Sequence, residues 1–244
     1  MTQIALNDWC SITAQSGMPL YAVLSNVSDA ETIKNYYLTD GSQTPFGLYT
    51  GTPYSNWQAV MPMLVQLDEH SNFLDWIHQT KYNDWGWLAR SHLPLTKICA
   101  HLRSLTQVVL PDGETVFFRY WDGVYLTHQI RFMAENWANI LPAFAFYWIN
   151  RESFTVYVPI ERIPKVSPWW QVPQELLDHL SETNPELLVN DVLQLLQENF
   201  YNIYASYPYP ILKSKIIHLL SLSRKNKTTF DFILKQLQQE KSYE

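Results

Sequence analysis

Apolar positions in the first 158 residues fall into short blocks separated by capping and turn residues, and three times a strand-like block precedes a helix-like one. Residues 20–25 (LYAVLS) form an uninterrupted apolar run. Ser28-Asp29 then reads as a cap for a helix over residues 30–38, with Gly41 ending it. Residues 64–67 (LVQL) are a second buried strand, after which Ser71 opens a helix with Phe73, Leu74, Trp76 and Ile77 on one face. Residues 85–89 (WGWLA) lead into a third helix opened by Pro94, whose Leu95, Ile98, Leu102 and Leu105 keep a core-facing stripe. The period then changes to two. Val116, Phe118 and Tyr120 alternate with Phe117 and Arg119, and Pro111-Asp112-Gly113 turns the chain between strands at 106–110 and 115–120. A second hairpin is expected from residues 144–149 and 154–158 around Asn150-Arg151-Glu152-Ser153.

From Pro159 the texture changes. Pro159, Pro164, Pro168 and Pro173 forbid a continuous helix or a central strand, and residues 159–172 read as a linker. Beyond it only helical spacing is found, in Leu188, Val192, Leu195 and Leu196 after an Asn184-Pro185 start, in Leu212, Ile216, Leu219 and Leu220, and in Phe230, Ile233, Leu234 and Leu237. The expected architecture is an α/β (α+β) N-terminal lobe, residues 1–158, with a mixed sheet flanked by helices, followed by a smaller all-helical lobe at 173–244.

Composition narrows the function classes. A charged fraction of 16% beside 15% aromatics is far from the composition of a disordered chain, so a packed core is expected. A net charge of −6 argues against a phosphate-backbone binder, so no nucleic acid is expected. Cys10 and Cys99 are far apart and outside any CxxC or Cys/His cluster, which predicts two reduced, buried thiols. The first residues lack the basic start and apolar core of a signal peptide, and no apolar run is long enough to span a bilayer. No membrane association and a cytoplasmic location are expected.

Catalytic patterns are sparse. There is no G-x-S-x-G elbow and no phosphate-binding glycine loop. Asp68-Glu69-His70 with His78, His92 and His101 is the nearest approach to a metal cluster, but His70 and His78 lack the i, i+4 spacing of a zinc helix, so neither metal nor cofactor is expected. Asp122, before Gly123, suits a helix N-cap better than a general acid, and Arg119 suits a paired or stacked cation that sets local geometry. Trp169-Trp170, in the proline-broken stretch, together with Lys213 and Lys215 of the basic C-terminal third, are candidate partner contacts. Packing of the two indoles on their own lobe is the equal alternative.

An ordered series of strings completes the reading: Leu20-Tyr21-Ala22-Val23-Leu24, Leu48-Tyr49-Thr50-Gly51-Thr52-Pro53, Met61-Pro62-Met63-Leu64-Val65-Gln66-Leu67-Asp68, Trp85-Gly86 to Ser91, His101-Leu102-Arg103, Leu110-Pro111-Asp112-Gly113 and Phe118-Arg119-Tyr120-Trp121-Asp122. In order and spacing, across residues 18–135, this set resembles the effector chaperones of bacterial type VI secretion, the Tap or TEC adaptors. Ser25 stands where that family often has Asp, and Trp121 where it has a smaller aromatic. The resemblance implies a non-enzymatic adaptor that binds a toxic effector in the producing cell and helps load it onto the VgrG spike, with Tyr21, Tyr49, Gly51, Pro53, Leu67, Asp68, Trp85, Gly86, Ser91, Arg119 and Asp122 as structural family positions. A groove between the lobes is the place expected to take up the effector segment. The alternatives are a toxin-neutralising immunity protein and a hydrolase using Asp68, His70 and Asp122.

Overall fold

In a computed structural model of the chain, residues 2–156, 165–183, 185–223 and 229–241 are described. The chain divides into two compact units, Met1–Leu176 and Leu177–Glu244. The elements of the first are β1 (Thr2–Gln3), α1 (Leu6–Ala14), β2 (Leu20–Leu24), α2 (Thr32–Thr39), β3 (Phe46–Gly47), β4 (Met63–Leu67), α3 (Phe73–Gln79), β5 (Gly86–Arg90), α4 (Leu95–Ser104), β6 (Gln107–Val109), β7 (Thr115–Phe117), α5 (Gly123–Met133), β8 (Phe146–Ile149) and β9 (Glu152–Thr155). Then come α6 (Gln174–Thr183), α7 (Pro185–Asn199), α8 (Tyr201–Tyr204), α9 (Tyr209–Ser223) and α10 (Thr229–Lys241). The fold is the α+β lobe and helical lobe that the periodicities imply.

Seven strands form one sheet in the order β1-β9-β8-β5-β2-β4-β3, and β6 and β7 form a separate hairpin. Every ladder between these strands is antiparallel, where a mixed sheet was expected. The strand-helix-strand order itself is correct. β4 and β5, joined through α3, point the same way, but β2 lies between them and pairs antiparallel with both. The crossover from β2 through α2 to β3 likewise skips over β4. Both of these helical connections therefore join parallel strands that are not neighbours, a distinction that period counting does not register.

Both faces of the sheet centre are covered, which is why β2 and β5 read as unbroken apolar runs with all five residues buried. On one face Leu20, Ala22 and Leu24 of β2 pack with Val65, Leu67 and Leu88 against Leu6 and Trp9 of α1, Tyr36 of α2 and Phe73, Leu74 and Ile77 of α3. On the other, Trp87 packs edge-on against Phe144 at 5.2 Å and donates its indole N–H to the Tyr120 carbonyl at 2.7 Å. Tyr21, on the same side of β2, donates to the Leu93 carbonyl at 3.0 Å. In the helical unit Val189, Val192, Leu196, Leu212, Ile216, Ile233 and Leu237 form the core, whereas Leu195, assigned to the core stripe by its spacing, is exposed.

Local differences from the expected elements have local causes. Glu31, in the left-handed region, is the N-cap of α2; Ser28 instead accepts from the Ala30 N–H and donates to Asp84. The second hairpin turns on Asn150 and Arg151 alone, both at positive φ, so Ile149 pairs with Glu152 and the second strand begins two residues earlier than the polar stretch suggests. Cys99 is buried but Cys10 only half-buried; both thiols are free, and burial pushes each up to about 11. Of the stretch read as a linker, residues 159–164 lie outside the described residues. Residues 170–172 extend the small hairpin, with the Val109 N–H on the Trp170 carbonyl at 2.9 Å and the Val172 N–H on the Val109 carbonyl at 2.8 Å.

Two glycines set the backbone spacing around β5. Gly86 has φ +139°, and a Cβ there would sit 2.0 Å from the Val23 carbonyl oxygen. A Cβ on Gly123, the first residue of α5, would lie 2.7 Å from the carbonyl oxygens of Asn83 and Gly86. Backbone atoms cannot swing away as a flexible side chain can, so Gly86→Ala is expected to cost at least about 3 kcal/mol. Urea denaturation checks it. Gly113→Ala, whose Cβ would meet nothing within 4 Å although φ is +91°, is the milder control.

Candidate partner-binding surface

Most of the family-type positions serve the fold. Tyr21, Leu67 and Trp85 are core residues, and the Ser91 hydroxyl donates to the Ala143 carbonyl while accepting from the Leu93 N–H. Asp122 caps α5: its Oδ1 accepts from the N–H groups of Val124 and Tyr125 at 2.9 and 3.4 Å, and its Oδ2 accepts from Arg119 at 3.0 Å. The Arg119 guanidinium lies 4.5 Å from the Tyr125 ring centre, so it is both paired and stacked. Burial raises the Asp122 carboxyl above its ordinary value, against the opposing pull of Arg119 and the two N–H groups.

Asp68, His70 and Asp122 are not assembled into a catalytic site. Asp68 follows Leu67, which pairs through Leu20 to Arg90 at one end of β5; Asp122 and Gly123 pack by Gly86 at the other. The length of β5, ~13 Å, separates the two ends. Asp68 is exposed and accepts from the His70 backbone N–H at 2.8 Å. Glu69 is held by Arg90 through two bonds of 2.6 and 2.8 Å, and His101 donates Nε2–H to the Ile140 carbonyl at 2.8 Å. Among the described residues no group of three or more His, Cys, Asp or Glu is placed to hold a metal.

Arg90 went unnoticed in the sequence because it ends an apolar strand and has no motif around it. Its side chain is fully buried and its donors reach Thr13, Met18, Cys10 and Glu69, tying α1 and the turn after β4 to the sheet. A buried guanidinium with its donors used this way is a structural clamp.

The tryptophan pair does not form an outward patch. Trp170 is 6% exposed and packs on Phe118 at 5.0 Å and Trp137 at 6.5 Å, so partner contact does not suit it. Trp169 is half-buried, donates to the Ser104 hydroxyl at 3.0 Å and carries the Lys165 ammonium 4.0 Å from its ring centre. Lys213 pairs with Glu186 at 3.6 Å and Lys215 with Glu240 at 2.5 Å, both within the helical unit.

A different aromatic group reaches the surface. Trp121 and Tyr49, both buried, meet edge-on at 6.1 Å, and Tyr49 lies 6.3 Å from Phe117 and 6.2 Å from Tyr54. Phe117 meets Tyr54 at 4.8 Å and stacks on Trp57 at 5.2 Å. This column of rings ends in solvent: Trp57 is 48% exposed and the neighbouring Val60 39%. The loop carrying it is stiff. Gly51, at φ +79°, turns the chain, and its N–H donates to Ser55 Oγ at 3.1 Å. The Thr52 and Ser55 hydroxyls donate to the Tyr49 carbonyl at 2.7 and 3.2 Å, and the Asn26 amide holds the Gln58 carbonyl at 2.8 Å. Pro53 is an exposed residue of the same loop. From Gly41 through Leu67 there is no Asp, Glu, Lys, Arg or His, a signal that marks this surface in the sequence itself. Rigid Trp and Tyr anchors among Ser, Thr, Asn and Gly, without charge, are the composition of a binding surface.

Among known protein families, residues 20–137 match the one described as a domain of unknown function (DUF4123), the type VI secretion effector chaperone and adaptor family. Residues 20–137 belong to this family. No curated protein and no solved structure matches the chain. At family level the role is of the adaptor or chaperone type, with a secretion effector as the class of partner. The match includes both the Tyr49–Val60 stretch and the β6–β7 hairpin, so the whole ring column lies inside the family domain. No helix among the described residues is long and apolar enough to cross a membrane.

The capping assignment of Asp122 has measurable consequences. Asp122→Asn keeps a capping oxygen and should cost at most about 1 kcal/mol, whereas Asp122→Ala should cost about 2 kcal/mol. With its carboxyl raised in the folded state, the native protein binds this proton more tightly than the unfolded chain does. Its contribution to stability therefore falls as pH rises from the ordinary carboxylate value to the raised one. Urea titrations of wild type and Asp122→Asn across the acid range should differ by that slope.

Proposed function

We propose that this chain is a non-catalytic adaptor that binds a type VI secretion effector in the producing cell and helps bring it to the VgrG spike. The observation that carries the reading is a family domain whose loop and hairpin hold a rigid, charge-free aromatic ridge in solvent. Support for the non-catalytic part comes from the separation of Asp68 and His70 from Asp122, and from the engagement of Asp122 in a cap and an ion pair. The hydrolase alternative would need Asp68, His70 and Asp122 together, and these three lie apart.

An adaptor and an immunity protein differ in what they do to the toxin. Purification of the tagged full-length chain from its native cells is expected to recover a toxin-domain protein together with VgrG. Deleting the gene should abolish export of that toxin, while a saturating amount of the purified chain should leave toxin catalysis within about twofold of its value alone. Complete loss of toxin activity on binding would assign the chain to immunity, and recovery of neither partner with export intact would end the adaptor reading.

A further inference from the structure

We propose that the ridge formed by Tyr54, Trp57, Val60 and Phe117 is the docking surface of the domain, and that its occupant is an apolar effector segment flanked by basic residues. The effector identity of the occupant rests on the adaptor reading; its chemistry comes from the ridge and its margins. The centre is uncharged because residues 41–67 carry no Asp, Glu, Lys, Arg or His, and it exposes an indole stacked on Phe117. An apolar segment covers such a centre without stranding a charge, and little side-chain entropy remains to be lost at Trp57.

The chain segments adjoining the ridge carry acidic residues. At the hairpin end Asp112 and Glu114 are exposed on the turn leading into β7, and residues 104–118 contain no Lys or Arg. At the other end the Asn26 amide grips Gln58, and exposed Val27 and Asp29 follow it; residues 26–30 also contain no Lys or Arg. Of the cations near the ridge, Arg119, two residues beyond Phe117, pairs with Asp122 at 3.0 Å. Arg103 turns inward, with its guanidinium 4.8 Å from the Phe46 ring centre and its Nε donating to the Leu48 carbonyl, and Lys34 pairs with Glu31 at 2.8 Å. An uncharged aromatic centre between carboxylates complements apolar residues between Lys or Arg and repels an acidic segment.

The test uses the full-length chain and three fluorescein-labelled peptides of about 15 residues, sharing a core of Leu, Ala and Phe and flanked at both ends by Lys, Ser or Glu. Anisotropy at low salt should show the Lys-flanked peptide binding at least about tenfold more tightly than the Glu-flanked one, the gap narrowing in high salt. Trp57→Ala should weaken the Lys-flanked peptide at least about tenfold and Trp57→Phe much less. Asp29→Lys combined with Glu114→Lys, both at exposed positions, should reverse the preference with the ridge intact. Equal binding of all three peptides, or unchanged affinity in Trp57→Ala, overturns the proposal. So does a concentration-dependent dimer of the chain that Trp57→Ala dissolves, since the ridge would then be covered by a second copy. The two readings fail separately: toxin capture that survives Trp57→Ala removes the ridge and keeps the adaptor, while peptide binding without capture of toxin or VgrG does the reverse.

Discussion

The sheet of this protein closes around one contact: β5 lies against β2 because Gly86 has no side chain to strike the Val23 carbonyl. That approach lets β2 sit between β4 and β5, and so turns two strand-helix-strand crossovers into an antiparallel sheet. The contact continues outward, since Gly123 rests on the Gly86 carbonyl and begins α5 there, with Asp122 as its cap. At the far end of β5 the buried Arg90 fixes α1 and the turn after β4. A five-residue strand is thus held at one end by absence of a side chain and at the other by a guanidinium with several acceptors.

The binding surface follows from that scaffold. Trp121 stands next to the Asp122 cap, and Tyr49 packs on it, so the column of rings starts from the best-anchored part of the lobe. Each aromatic pair contributes on the order of 1 kcal/mol, and together they hold the outermost indole where solvent would otherwise leave it free. A surface of this kind suits an adaptor, which must present a prepared face to a partner without chemistry of its own. The uncharged side chains of the loop, such as Thr52 and Ser55, are also the ones that fold it, and Asn26 holds it from beyond the end of β2.

The elements were largely legible in the residue pattern. Residues 20–25, 64–67 and 85–89 read as strands, each within a residue of β2, β4 and β5, and the helix opened by Pro94 is α4, because burial on both faces or on one stripe imposes period and composition directly. The family strings were legible too, since a glycine needed for close approach and an aspartate needed as a cap leave fixed letters at fixed spacing. What the pattern left open was packing partners. The Trp169-Trp170 pair reads equally as a partner contact and as packing on its own lobe, and Trp170 goes into the core with Phe118 and Trp137, residues distant in sequence. Trp57 drew no attention, although the charge-free stretch from Gly41 to Leu67 was there to mark it.

Local chemistry in the sequence therefore determined the kinds of element, the two-lobe order, the Pro111-Asp112-Gly113 turn, the Asp122 cap and the membership of the family domain. Only the tertiary structure decided which strands became neighbours, which indoles were buried and which carboxylates met. Those outcomes depend on contacts between residues far apart along the chain, such as Gly86 with Val23, Arg90 with Glu69 and Trp57 with Phe117. Periodicity records how a residue faces its own element; it carries no record of what lies across from it.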